Sequence, residues 1–137
     1  MTPLTNFIAL LARILLAFIF VRSGIGKLGA IDATVANMTG HGIPSPNVLV
    51  WGAVALEIGG GLLLITGLFA RCAALALALY TLALALIFHA YWLAPAAEAR
   101  FDRIIFHNHI SIIGGMLVIV AFGAGCWSLD AAMGRKA

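Results

Sequence analysis

Apolar residues run almost unbroken through four stretches of this chain, with short polar segments between them. The stretches are residues 4–27, 48–69, 72–93 and 104–126, the first being densest over 4–21. A helix rises ~1.5 Å per residue, so about 20 residues cross ~30 Å of hydrocarbon. No run alternates with a period of two, which disfavours a transmembrane β-barrel. In lipid, each backbone N–H and C=O must be satisfied internally, and helices do this within one segment. The pattern predicts an all-α fold, an integral membrane four-helix bundle, as a single domain over residues 1–137.

The connections differ in kind. Residues 29–47, GAIDATVANMTGHGIPSPN, are mixed in polarity and end in Gly40, Gly42, Pro44 and Pro46, which break helices. Ala33–Met38 is expected to form a short interfacial helix before that break. The second and third crossings are nearly fused at Ala70–Arg71, a tight hairpin. Ala94–Arg103 is a polar loop carrying Pro95, Glu98, Arg100, Asp102 and Arg103. Four crossings place both termini on one side, with Arg71, Arg135 and Lys136. Arg22, Lys27, Arg100 and Arg103 stand on the other. Three cations against four do not separate the orientations under the positive-inside rule. The expectation adopted is that both termini are cytoplasmic.

Composition narrows the class. Hydrophobic residues make up 64% and charged residues 9%, more apolar surface than a soluble chain of this size can hide. The lipid bilayer is therefore the first partner. A net charge of +3 without a clustered basic face argues against nucleic acid. The start of the chain lacks a basic n-region and Arg13 interrupts its apolar run, so no cleaved signal peptide is expected. Cys72 and Cys126 form no CxxC, which points away from a disulfide framework or a zinc site. Antiparallel helices would put both on one membrane face, where a redox pair is geometrically feasible.

The chemistry begins with Glu57, a lone acid in the middle of the second run, followed by Gly59, Gly60 and Gly61. On a helix it shares a face with Ala53, Gly60, Gly61 and Leu64. A carboxylate at that depth needs a partner or a wet cavity. Arg13 lies about nine residues into the first run, hence ~14 Å deep, and is the expected partner. Such a pair either locks two helices in register or holds a polar head group or a proton. Arg13, Phe20, Gly24 and Lys27 share one face, which leads from Arg13 to a second polar cluster of Lys27, His89, His107, Asn108 and His109. Arg22 points away as a snorkelling anchor, with Tyr91 and Trp92 as interfacial aromatics. Haem is disfavoured, because a bundle haem wants histidines deeper than helix ends. No metal site is expected, as neither HxxxH nor HxxE occurs. Solvated histidines and a pocket for a small redox molecule both stay open. Small residues at heptad spacing (Ala76, Ala83 and Ala90; Gly60 and Gly67) and Gly114, Gly115, Gly123 and Gly125 suit close helix packing.

These pieces occur in a recognisable order. Arg13 and Gly24-x-x-Lys27 come first, then His41–Pro46 (HGIPSP), then Glu57-x-x-Gly60-Gly61 with Gly67 and Ala70-Arg71. His89-Ala-Tyr-Trp92, Asn108 leading to Gly114-Gly115, and Gly123-x-Gly125-x-x-Ser128-Leu129-Asp130 follow. As a set they resemble the DoxX family of small four-helix membrane proteins, over nearly the whole chain. The resemblance implies a bacterial inner-membrane bundle that serves as an oxidoreductase component; relatives include a thiosulfate:quinone oxidoreductase subunit. The family commonly shows Lys-Asn where this chain has His107-Asn108, and an apolar residue in place of His109. Fold analogy alone does not carry function.

The combined expectation is a membrane component of an oxidoreductase system that binds a quinone or similar small aromatic ligand. Arg13, Glu57, Lys27, His89, His107, Asn108 and His109 would line the site. Gly24, Gly60, Gly61, Gly67, Arg71, Gly114 and Gly115 are read as structural. No covalently bound cofactor is expected. Electrons would come from a soluble oxidoreductase partner, since no flavin, nicotinamide or iron–sulfur motif is present. A homo-oligomer is open. The rival expectation is a non-catalytic membrane scaffold or small-molecule handling protein with a structural Arg–Glu core pair.

Overall fold

The computed structural model describes residues 2–135, so Lys136 of the charge tally lies outside the described residues. It is an all-α bundle with four helices long and apolar enough to cross a membrane. They are α1 (Pro3–Leu28), α3 (Pro46–Thr66), α4 (Ala70–Phe88) and α5 (Ala96–Phe122); α2 (Ile31–Gly40) and α6 (Leu129–Ala132) are short. Strands are absent among the described residues. The apolar helix surfaces turned outward imply direct contact with the bilayer.

The ends follow local chemistry. Thr2 caps α1, its hydroxyl accepting from the Thr5 amide, and Pro3 occupies the first turn, where a missing N–H costs nothing. Pro46 begins α3 in the same way, behind the HGIPSP break. Gly67 ends α3 with φ of 69°, a left-handed conformation that favours glycine. The Ala94–Arg103 segment departs from its reading as a loop. α4 stops at Phe88, a turn crosses 91–94, and α5 starts at once behind Pro95. Proline terminates what precedes it but tolerates a helix after it, and Ala, Glu and Arg over 96–103 are strong helix formers.

α1 packs antiparallel on α3, α4 on α5, and a narrower α3–α4 seam joins the pairs. Glycine sets the closest approaches. A Cβ on Gly61 would lie 2.6 Å from the Val21 side chain, and one on Gly24 2.6 Å from Ile58. Gly60 faces Leu77 and Gly115 faces Leu16. These contacts replace the hydrophobic drive that lipid does not supply. Gly114 corrects its structural reading: it faces open space on the outer side of α5. Arg71 likewise is exposed. The core around Ala17, Leu64, Ala74, Leu77 and Met116 separates two polar clusters at opposite ends of the bundle.

Candidate ligand-binding site

The α1–α3 register decides which charges meet. Gly24 lies against Glu57 and Ile58, Gly61 against Val21 and Ala17, and Gly67 against Arg13. Glu57 is thus opposite the C-terminal turns of α1, and its partner is Lys27. Lys27 Nζ donates to both carboxylate oxygens, at 2.8 and 3.0 Å, and to Ser23 Oγ at 2.8 Å. Tyr80 on α4 donates its hydroxyl to Glu57 Oε1 at 2.8 Å. The expected Arg13–Glu57 pair does not form. Arg13 and Lys27 are 14 positions apart on one helix, ~21 Å along its axis. Arg13 therefore reaches the far end of α3, where Nη2 donates to the Trp127 carbonyl.

Arg13 belongs to a sealed cluster at the termini. It is 1% exposed, with Nε and Nη1 lacking a hydrogen-bond partner among the described residues. Its guanidinium lies so close over Gly67 that no Cβ fits there. Asp130 supplies the opposite charge in its field. The Asp130 carboxylate accepts from the Phe69 and Ala70 amides, each at 3.0 Å, and its own amide donates to the Gly67 carbonyl. It caps α4 from the tail of the chain. Asn6 accepts from the Cys126 amide, fastening the post-α5 loop to α1. Cys72 and Cys126 are both exposed, free thiols.

The other cluster opens onto space. A cavity of about 820 Å³ lies between α1, α2, α3 and α4, with His109 of α5 reaching its wall. Leu49, Leu56, Leu84, Ile87, Phe88 and Met38 make it mainly apolar; Ser23, Lys27, Tyr80, His89 and His109 are its principal polar groups. α2 contributes Thr34, Asn37 and Met38, and the HGIPSP segment Ile43 and Pro44, so the interfacial helix forms part of the wall. His41 of that segment packs on Phe88, ring centroids 4.6 Å apart. A smaller cavity of about 120 Å³ reaches Glu57 from the α5 side, lined also by Ser23, Thr81 and His109.

The histidines divide into two sets. His109 Nδ1 donates to the Ile105 carbonyl at 2.8 Å, since a carbonyl only accepts; Nε2 of the neutral ring is then an acceptor. His89 Nδ1 lies 3.1 Å from Asp102 Oδ1, and its ring stacks on His109 at 5.3 Å. His107 and Asn108 are exposed and line neither cavity; the His107 ring sits beside Tyr91 and Phe106. Of the expected ligand residues, Glu57, Lys27, His89 and His109 come together, whereas Arg13, His107 and Asn108 stand apart. Sequence reasoning missed Tyr80, Ser23 and Asp102. Tyr80 carried a signal, because a hydroxyl in the middle of an apolar run requires a partner. No group of three or more His, Cys, Asp or Glu suited to a metal ion occurs among the described residues.

An apolar, ligand-sized cavity with a few polar groups, inside a four-helix membrane bundle, marks a small integral membrane protein with a candidate ligand site. Its sequence places it further. The DoxX family model matches residues 8–90, and the chain belongs to the DoxX family. It is 35% identical to Inner membrane protein YphA of Escherichia coli (strain K12) over 121 residues, 88% of this chain and 86% of that one. Inner membrane protein YqjF of the same organism is 32% identical over 127 residues, 93% of this chain and 92% of its own. No solved structure matches the chain.

Proposed function

We propose that this DoxX protein binds a small, largely apolar ring compound of the quinone class and presents it to an oxidoreductase system in the inner membrane, with both termini cytoplasmic. The observation that carries this reading is the mainly apolar cavity of about 820 Å³ with a few polar groups, Ser23, Lys27, Tyr80, His89 and His109, in its lining. Pockets for drug-sized ligands are ~300–1,000 Å³, mainly apolar, with a few placed polar groups. Lys27 spends its donors on Ser23 and Glu57, so it organises the wall while its charge is offset by the carboxylate. The groups left to meet a head group are the Ser23 hydroxyl and the Nε2 atoms of His89 and His109. Neutral Nε2 accepts from a hydroxyl, as on a quinol; protonated Nε2 donates to a carbonyl, as on a quinone. Quinone and quinol differ by a pair of electrons and a pair of protons. The electrons come from a partner oxidoreductase.

Lipid extracted with the purified protein, analysed by mass spectrometry, tests this reading together with titration of a soluble short-chain quinone read by thermal stability. Co-purified quinone and saturable stabilisation are expected, with affinity about tenfold weaker in His109→Phe, the loss of one hydrogen bond to a charged or polar partner. Quinone-free extracts with a flat titration would overturn it. The internal saturation of Lys27 and Glu57 favours one second reading, a non-catalytic carrier in which that pair only fixes the wall.

A further inference from the structure

Glu57 is 1% exposed, yet it is not isolated. Three elements face it: α1 with Lys27 and Ser23, α4 with Tyr80 and Thr81, and α5 with His109. Lys27 and Tyr80 bind the carboxylate directly. Toward α5 there is space instead, the cavity of about 120 Å³ that Glu57 and His109 share. A cavity needs ~10–15 Å³ of such volume to hold one water, and a polar lining to keep it. This one has room for several; beside its apolar Ile19, Phe20, Leu84 and Ile112 it offers Ser23, Thr81, Glu57 and His109 as partners. His109 also lines the large cavity, as does His89, whose ring stacks on it at 5.3 Å. His89 ends on Asp102, whose side chain is 17% exposed, at the aqueous end of α5.

We infer that His109, then His89 and Asp102, form a proton path between buried Glu57 and the aqueous face opposite the termini. Water in the small cavity carries a proton between the Glu57 carboxylate and His109 Nε2. His109 is held by its Nδ1 bond to Ile105, which keeps Nε2 free to take and release it. Water at the wall of the large cavity connects His109 Nε2 with His89 Nε2. His89 then loses its Nδ1 proton to Asp102, which exchanges with solvent. Each transfer moves one proton and no electron; His89, now protonated at Nε2 and bare at Nδ1, is left in its other tautomer, and a ring flip or a proton returning along the same path resets it. The path stands on the carboxylate and the cavities alone. It goes beyond ligand binding, and either can fail without the other.

Infrared spectroscopy after a rapid pH step, on the full chain in detergent micelles, tests it without any ligand. The carboxyl–carboxylate change that disappears in Glu57→Gln reports Glu57. Its rate is expected to fall about tenfold or more in His109→Phe and in Asp102→Asn, as for loss of a positioned proton carrier. Asp102 is near the surface, so Asp102→Asn keeps the test decisive should His109→Phe fold poorly. An unchanged rate in Asp102→Asn would overturn the path. A spectrum with no Glu57-dependent change at any pH the fold survives would do so too.

Discussion

Two buried charges, Arg13 and Glu57, are each 1% exposed and lie at opposite ends of the α1–α3 seam, yet their surroundings differ. Around Arg13 the hydrogen-bond partner among the described residues is backbone, the Trp127 carbonyl; the Gly67 peptide packs against the guanidinium, and the Asp130 carboxylate in its field is itself tied to the Phe69 and Ala70 amides. Neither the large cavity nor the small one is lined by it. Around Glu57 the partners are side chains from α1 and α4, with the small cavity against it and the large one lined by its partners Lys27 and Tyr80. A charge bonded to backbone cannot change partners without moving the chain. One bonded to side chains beside open space can gain or lose a proton or meet a ligand. Depth and rarity of charge are alike for the two; what differs is their partners and the space beside them.

The contrast breaks first at Gly67. Gly67→Val places a branched side chain at φ 69° where the Arg13 guanidinium already lies. A loss of about 3 kcal/mol or more is expected, seen as failure to recover folded protein or a collapse of the denaturation midpoint. Next is the buried pair. Lys27→Met should cost ~3 kcal/mol, less than a fully enclosed pair because Lys27 is 21% exposed. Adding Glu57→Leu should restore part of that loss, and a double-mutant cycle in stability measures the coupling. Asp130→Ala removes the α4 cap and should cost ~1–2 kcal/mol while quinone affinity is unchanged. A change in affinity would dissolve the separation of the two ends. The smallest effect is topological. Membrane-impermeant thiol reagents should leave Cys72 and Cys126 unlabelled in intact cells and label both after permeabilisation, with no loss of stability.

Much of this architecture is legible in the chain itself. The four apolar runs mark the crossings because hydrocarbon admits few alternatives. The face of Arg13, Phe20, Gly24 and Lys27 was also readable, since helical periodicity fixes it. What periodicity lacks is register. Counting inward from the apolar boundaries puts Arg13 level with Glu57, but α1 runs to Leu28 and is offset along α3, so Lys27 holds that level. Asp102 was hidden by a different error. Its charged surroundings read as loop, while their propensity and Pro95 favour a helix that brings Asp102 to His89. Asp130 caps a helix 60 positions earlier in the chain, and no local pattern announces a contact of that span.

The unequal helices have a consequence for the lipid. α4 has 19 residues, ~28 Å, whereas α5 has 27, ~40 Å. The surplus at the start of α5 carries Glu98, Arg100, Asp102 and Arg103, suited to the headgroup layer. A bilayer thinner than the length of α5 makes tilt of that helix the inexpensive response, whereas one thicker than α4 is met by local thinning around it. Tilting α5 moves His109 relative to Glu57. Acyl-chain length would therefore act on this site through the tilt of α5, the helix that carries His109.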